Sequence, residues 1–252
     1  MEPSGSWDIG DIAIKAEKGA GGYELNGTKL FVADAHVSDQ MIVAARTGGS
    51  GIEGITLFAI ETKRSGVAIN ALKTMDETRK QSEVRFDRVK AAVSDIVGQV
   101  GDGGRLLADV IDRGKVALAA EMMGGAQKVL DMTVEYTKVR EQFGRPIGSF
   151  QAIQHKCANM MVDVESAKSA TYYAAWAASN GVKESRLAAA LAKAAASDAS
   201  RRTAAEGIQV HGGIGFTWEH DMHLYFKRAK SSEFTFGDAT CNRELVAQMI
   251  GL

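Results

Sequence analysis

The sequence changes character at the glycine-dense run Gly98-Gln-Val-Gly-Asp-Gly-Gly104, so a fold for this chain has to seat a different architecture on each side of it. Upstream, runs with alternating or β-branched character recur at Ile12 to Glu17, Tyr23 to Val32, Gln40 to Ala45, Ile55 to Ile60, Val67 to Leu72 and Ser82 to Phe86. Side chains two apart share one face of a strand, so these runs predict a half-buried antiparallel sheet. Asn26-Gly27 lies between Tyr23-Glu-Leu25 and Lys29-Leu-Phe-Val32, and its tolerance of positive φ predicts a two-residue hairpin turn there.

Downstream, alanine, leucine, lysine and glutamate dominate, as in long helices. One helix is expected from Leu106 to about Arg140, ended by Gly144-Arg-Pro146-Ile-Gly148. Helix resumes near Phe150, with Ile153, Cys157, Met160, Val164 and Ala167 spaced by four and three as a bundle seam, until Asn180-Gly181. An alanine-rich helix is expected over Glu184 to Val210, a short one over Glu219 to Lys230, and a last one from Asp238 onward. The expected class is α+β: an antiparallel β-barrel or sandwich over residues 1–98, then a four-helix bundle over 99–252.

Composition narrows the partners. With 30 basic and 31 acidic residues there is no electrostatic footprint for nucleic acid. No signal peptide opens the sequence and no run of about 18 apolar residues follows, so no membrane span and a cytoplasmic setting are expected. Cys157 and Cys241 stand far apart, outside any disulfide framework or zinc spacing, and no metal is expected.

The motifs with chemistry lie in the second half. Gly212-Gly213-Ile-Gly215 follows an alanine-rich helix, not a strand, so it is no Rossmann fingerprint, and on spacing alone a helix cap explains it equally well. Arg140, at a helix end, suits either the last carbonyls or a phosphate. His220 and His223, three apart, are expected on a solvated face, since no third ligand is nearby. The methionine pairs 122–123 and 160–161 are expected as core filler.

Taken in order, these pieces resemble one family. Tyr136-Thr-Lys-Val-Arg140-Glu-Gln-Phe-Gly144-Arg-Pro-Ile-Gly148-Ser-Phe-Gln151 resembles one signature of the acyl-CoA dehydrogenases, and Ala204-Ala-Glu-Gly-Ile-Gln209-Val-His-Gly-Gly213-Ile-Gly-Phe-Thr-Trp-Glu219 resembles the other. Tyr23 to Phe31 is similar to the family's middle β-domain, and Val84-Arg-Phe-Asp87-Arg-Val to its closing strand. The resemblance implies FAD as cofactor, an acyl-CoA thioester as substrate, an electron-transferring flavoprotein as electron acceptor, and a homo- or hetero-oligomer, dimer or tetramer. Carried over, Arg140 and Phe143 would reach the FAD of a neighbouring subunit, the arginine at its pyrophosphate, with Gln151 alongside and Gln209, Gly212 and Gly213 on the adenosine side. Phe31, Val32 and Ala33 occupy the stretch that covers the flavin ring. Asp112 and Lys115 resemble CoA-contacting positions, with the thioester between the sheet and the first bundle helix.

The chain also departs from the pattern. The family's reaction needs a carboxylate base beside the flavin. Phe236 and Gly114 stand at the two positions where members carry that glutamate, and neither accepts a proton. Asp238 and Glu121 are the remaining candidates for a relocated base, and Asp238 is a candidate FAD contact as well. Trp7 stands where a serine often binds FAD phosphate, and Ala33 where a hydroxyl often meets the flavin. The family's N-terminal helical domain, roughly a hundred residues, is not in this sequence. Three readings follow: an acyl-CoA dehydrogenase with relocated base, acting in lipid or steroid catabolism; a non-catalytic subunit that completes a partner's FAD site; and a scaffold fragment that binds no nucleotide.

Overall fold

The computed structural model describes residues 1–252, which divide into two compact units, Met1–Ile111 and Asp112–Leu252. The first unit holds strands β1 (Lys15–Gly19), β2 (Gly22–Ala33), β3 (Gln40–Arg46), β4 (Ile55–Glu61), β5 (Val67–Leu72), β6 (Gln81–Ala91) and β7 (Ile96–Val97) in one sheet of order β5-β6-β2-β1-β3-β4-β7. Every pairing is antiparallel except one β1–β3 contact, Lys15 to Arg46.

The tight turn is not at Asn26-Gly27. β1 and β2 pair from Lys15↔Asn26 to Gly19↔Gly22, which leaves Ala20-Gly21 as the two-residue connection. Asn26-Gly27 instead lies inside β2 opposite a bulge of β6, where Asp87 and Arg88 face Asn26 alone and the register shifts between Leu25 and Gly27. Gly27 has φ +148°, and a Cβ there would stand 2.7 Å from Ile14 Cγ1, so only glycine fits. Asn26 Oδ1 accepts from the Arg88 amide at 2.8 Å and ties β2 to the bulged segment of β6. There the inward face of β6 changes phase, from Ser82, Val84 and Phe86 to Val89 and Ala91, as one inserted residue requires. The sheet's core gathers Ile14, Leu25, Val43, Phe58, Ile60, Val84, Phe86 and Val89. Burying a ring such as Phe58 contributes about 1.5–3 kcal/mol.

The helices are α1 (Gly103–Val139), α2 (Gln151–Asn180), α3 (Ser185–His211), α4 (Met222–Phe234) and α5 (Ala239–Met249), with a two-stranded ribbon, β8 (Glu141–Gln142) and β9 (Arg145–Pro146), between α1 and α2. Three helices are long and two short: α4 corresponds to the expected short helix, and α5, the expected last helix, is itself short. The expected helix from Glu219 begins only at Met222. In α2 the buried stripe is Met160, Val164, Ala167, Thr171, Ala174 and Ala177, which continues the seam, and Gly181 at φ 61° closes the helix. In α3 the alanines at 188, 189, 192, 196 and 199 join Ala167, Ala174 and Ala177 of this stripe and Leu118, Ala119 and Met122 of α1 in one cluster, where small side chains permit close approach. No helix is long and apolar enough to cross a membrane.

Candidate functional site

Arg140 follows α1, its amide bonded to the Tyr136 carbonyl and its own carbonyl accepting from Ile147. The guanidinium is exposed and has no hydrogen-bond or ion-pair partner within the chain. Next comes a two-residue turn in which Phe143 and Gly144 both have positive φ, 55° and 76°, the type I′ pattern that joins β8 to β9. Phenylalanine in that conformation costs about 1–3 kcal/mol, and here the ring is 93% exposed, meeting Phe150 edge-on at 6.1 Å. Arg145 lies over the Phe150 ring at 4.2 Å. Gln151, exposed, opens α2.

The second motif closes α3. Gly212 has φ 63° and ψ −139°, a glycine conformation, and with Gly213 begins a 3-10 turn, Gly212–Phe216. A Cβ added at either glycine would meet nothing within 4 Å, so neither is needed for packing inside the chain. The fold brings this turn beside the end of α1. Tyr136, one turn before Arg140, stacks on His211 at 4.3 Å. Arg140, Phe143, Gln209, Gly212 and Gly213 are all solvent-facing. An unpaired guanidinium near exposed backbone suits a diphosphate ligand.

The third feature is the corner between α4 and α5. Phe236 and Gly237 again have positive φ, 60° and 84°, but here the ring turns inward. A Cβ at Gly114 of α1 would come within 2.9 Å of Phe236 Cε2, so the ring occupies the space that glycine leaves. Lys193, with 0% exposure, donates to Ser197 Oγ at 2.9 Å and to the Glu233 and Gly237 carbonyls at 3.0 Å, three acceptors for three N–H groups. Burial lowers its pKa to about 8, against the raising effect of the Glu233 carboxylate. Asn242 Nδ2 donates to the carbonyls of Phe236, Gly237 and Asp238 at 3.2, 2.9 and 2.9 Å. Lys115 is also buried, 3.8 Å from Asp112, whose other oxygen is 3.7 Å from Arg186. Burial pushes Lys115 below the ordinary lysine range, and Asp112 opposes that shift.

Residues 101–251 match the acyl-CoA dehydrogenase C-terminal domain and residues 1–89 its middle domain. The chain belongs to the acyl-CoA dehydrogenase family. It is 33% identical over 240 residues to a short-chain specific acyl-CoA dehydrogenase of Megasphaera elsdenii, covering 94% of this chain and 62% of the relative. It is 38% identical over 202 residues to an acyl-CoA dehydrogenase of Mycobacterium tuberculosis, covering 80% of this chain and 54% of that one. A solved structure of PigA with FAD and proline superposes with a TM-score of 0.95 at 28% identity, over 100% of this chain and 66% of that one. The curated relatives extend further, for this chain spans 54% to 66% of their length. Members of the family carry FAD.

Phe236 and Gly114, the two positions at which the resemblance implied a glutamate, pack against each other. Of the two alternative carboxylates, Asp238 caps α5, its Oδ1 accepting from the Cys241 amide at 2.8 Å, and Glu121 pairs with Arg228 at 2.9 Å. Both therefore already have structural work. In the sheet unit, Phe31 is 49% exposed with φ 55°, at a bulge of β2, and the exposed Ala33 pairs with Gln81. Trp7 is half-buried ahead of β1.

The histidines correct the solvated-face expectation: His223 is buried edge-on to Trp218 at 4.8 Å, and His220 lies against His211 at 4.7 Å. No group of three or more metal-ligating side chains is assembled. Met122 and Met160 are in the core, but Met161 is 56% exposed. The sequence reading missed Lys193, Asn242 and Tyr136. A lysine inside an alanine run whose neighbours face the core was the one available signal.

Proposed function

We propose that the chain is a component of an FAD-dependent acyl-CoA dehydrogenase that desaturates the Cα–Cβ bond of an acyl-CoA thioester in lipid or steroid catabolism. It passes electrons to an electron-transferring flavoprotein and works as part of a dimer or tetramer. The observation that carries this is the joining of the two signature segments through the Tyr136–His211 stack, with an unpartnered guanidinium and bare glycines facing outward. In this reading FAD supplies the hydride acceptor. Arg140 would fork onto the diphosphate of the FAD of a neighbouring subunit, with Phe143, Gln151, Gln209, Gly212 and Gly213 along that nucleotide and Asp238 near it, while Phe31 and Ala33 would cover a flavin ring. Asp112 and Lys115 hold the CoA end of the thioester. The junction between the family's middle and C-terminal domains is placed at 98/99, consistent with the matched spans.

A second reading is favoured by the Phe236–Gly114 contact: this chain is the non-catalytic subunit of a hetero-oligomer and completes the FAD site of a partner that brings the carboxylate. The deciding experiment is purification from the native source, recording which chains copurify, the flavin content, and acyl-CoA-dependent dye reduction. One FAD per two chains with a copurifying relative supports the subunit reading. Unaided turnover by a homo-oligomer excludes it, and Asp238→Asn and Glu121→Gln then test the relocated base. A chain that takes up no flavin, alone or with its partner, leaves only the scaffold reading.

A further inference from the structure

Around the Gly212–Phe216 turn the side chains form a titratable stack with a defined tautomer at each ring. His211 Nδ1 lies 2.7 Å from the Gly207 carbonyl, which only accepts, so Nδ1 carries the proton. His220 Nδ1 lies 3.1 Å from the Met222 amide, which only donates, so that nitrogen is bare and the proton sits on Nε2. The two imidazoles are 4.7 Å apart, and Tyr136 stacks on the other side of His211. The Tyr136 hydroxyl lies 3.5 Å from the His211 carbonyl. The turn rests on this stack, since a Cβ at Gly215 would stand 3.2 Å from His211 Cβ.

We infer that Tyr136, His211 and His220 are positioning residues for the Gly212–Phe216 turn, and that the turn loosens its hold on the flavin nucleotide when His211 takes up a proton. This rests on the reading of that turn as a nucleotide contact. A protonated His211 places a charge in a buried stack beside a second imidazole. The titratable groups facing His211 are Tyr136 from α1 and His220 from the segment before α4, and no carboxylate neutralises it there. His223 and Lys227 of α4 face Trp218 instead. The direction agrees with the His211 pKa, which lies below the ordinary 6.5: burial lowers it, the Gly207 carbonyl opposes, and His220 lowers it again. The ordered turn therefore binds fewer protons than a loosened one. Its stability is full above the ordinary histidine value and is lost as pH falls through that value towards the lowered one.

The test is FAD titration into the flavin-stripped full chain, with its partner subunit if one copurifies, followed by flavin fluorescence from about pH 8 to about pH 5.5. Affinity is expected to fall about tenfold over that range in the wild type. In His220→Gln, whose amide oxygen still accepts from Met222, and in His211→Phe, which keeps the stack, the fall should shrink to about twofold or less. A flat wild-type profile, or an undiminished slope in both variants, overturns the inference while leaving the flavin reading intact. FAD binding at no pH overturns the flavin reading. Amide exchange at Gly213 to Phe216, which needs no flavin, then decides the rest. Protection that falls with pH in the wild type but not in His220→Gln supports the positioning role, and flat protection overturns it.

Discussion

Two turns of the helical unit each hold a phenylalanine at positive φ followed by a glycine, yet they put the strained ring to opposite uses. Phe143 stands on a ribbon tip, 93% exposed, while Phe236 is turned inward over Gly114. The ribbon is maintained by its own short ladder. The corner's backbone carbonyls are held by two fully buried side chains, Lys193 and Asn242. Strain at the first site therefore presents a ring to something outside the chain, and strain at the second closes a space inside it. Under the proposed function, the first turn belongs to nucleotide binding and the second to the position from which the base is missing.

The largest expected effect lies at the closed corner. Lys193→Met keeps the side chain's length but removes the donor to the Glu233 carbonyl and the Ser197 hydroxyl and leaves the Gly237 carbonyl with Asn242 alone, so unfolding in urea should show a loss of about 3 kcal/mol. Asn242→Ala should cost about 2 kcal/mol for the same reason. A loss under about 0.5 kcal/mol in both would mean that the corner holds itself.

At the open site the effect should move from stability to binding. Arg140→Ala removes an exposed guanidinium with no partner, so stability should stay within about 0.5 kcal/mol. FAD affinity, read by equilibrium titration, should fall about 30- to 100-fold, the worth of a charge-assisted fork on a diphosphate. Unchanged affinity would remove this arginine from the site.

The two phenylalanines can then be compared directly by replacing each with glycine, which tolerates positive φ. Phe236→Gly loses the packing on Gly114 and should destabilise by about 2 kcal/mol, the loss of a half-buried ring less the relieved strain. Phe143→Gly loses almost no packing and should stabilise by up to about 1 kcal/mol while weakening FAD retention. Thermal melts of the two variants should therefore move in opposite directions, and shifts of the same sign would dissolve the contrast.

What was legible in the sequence follows the periodicities that survive intact. β3, β4 and β5 were read within a residue or so of their ends because each is a short, largely apolar run bounded by charged, polar or glycine residues. The reading of β6 stopped at Phe86 because the phase flips at Asp87-Arg88, and an alternation rule takes such a flip for the end of a strand. Asn26-Gly27 has the local chemistry of a turn, and it stays within β2, opposite the bulge of β6, because the neighbouring glycines at 19, 21 and 22 supplied the turn first. In the bundle, helix lengths followed the glycines and proline, whereas the break at Phe236 carries no proline and rests on the tertiary clamp from Lys193 and Asn242. The signature residues were legible as motifs, but a polar residue's burial depends on which helix it meets. Lys193 and His223 were therefore misjudged or missed.

The smallest stability effect gives the cleanest test of the open site. Gly213 lies in the 3-10 turn without positive φ, and a Cβ there meets no atom of the chain within 4 Å. Gly213→Ala should accordingly leave the fold unchanged or stabilise it by about 0.4–1 kcal/mol, since alanine restricts the unfolded chain more than glycine does. If the bare backbone is there so that a nucleotide can lie against it, the same methyl group should weaken FAD binding about tenfold, equivalent to about 1.4 kcal/mol. A variant that is as stable as the wild type and binds FAD equally well would mean that the space over Gly213 is not the nucleotide's. Weaker binding without loss of stability would separate ligand contact from helix capping at this turn, a distinction the spacing of the glycines alone does not make.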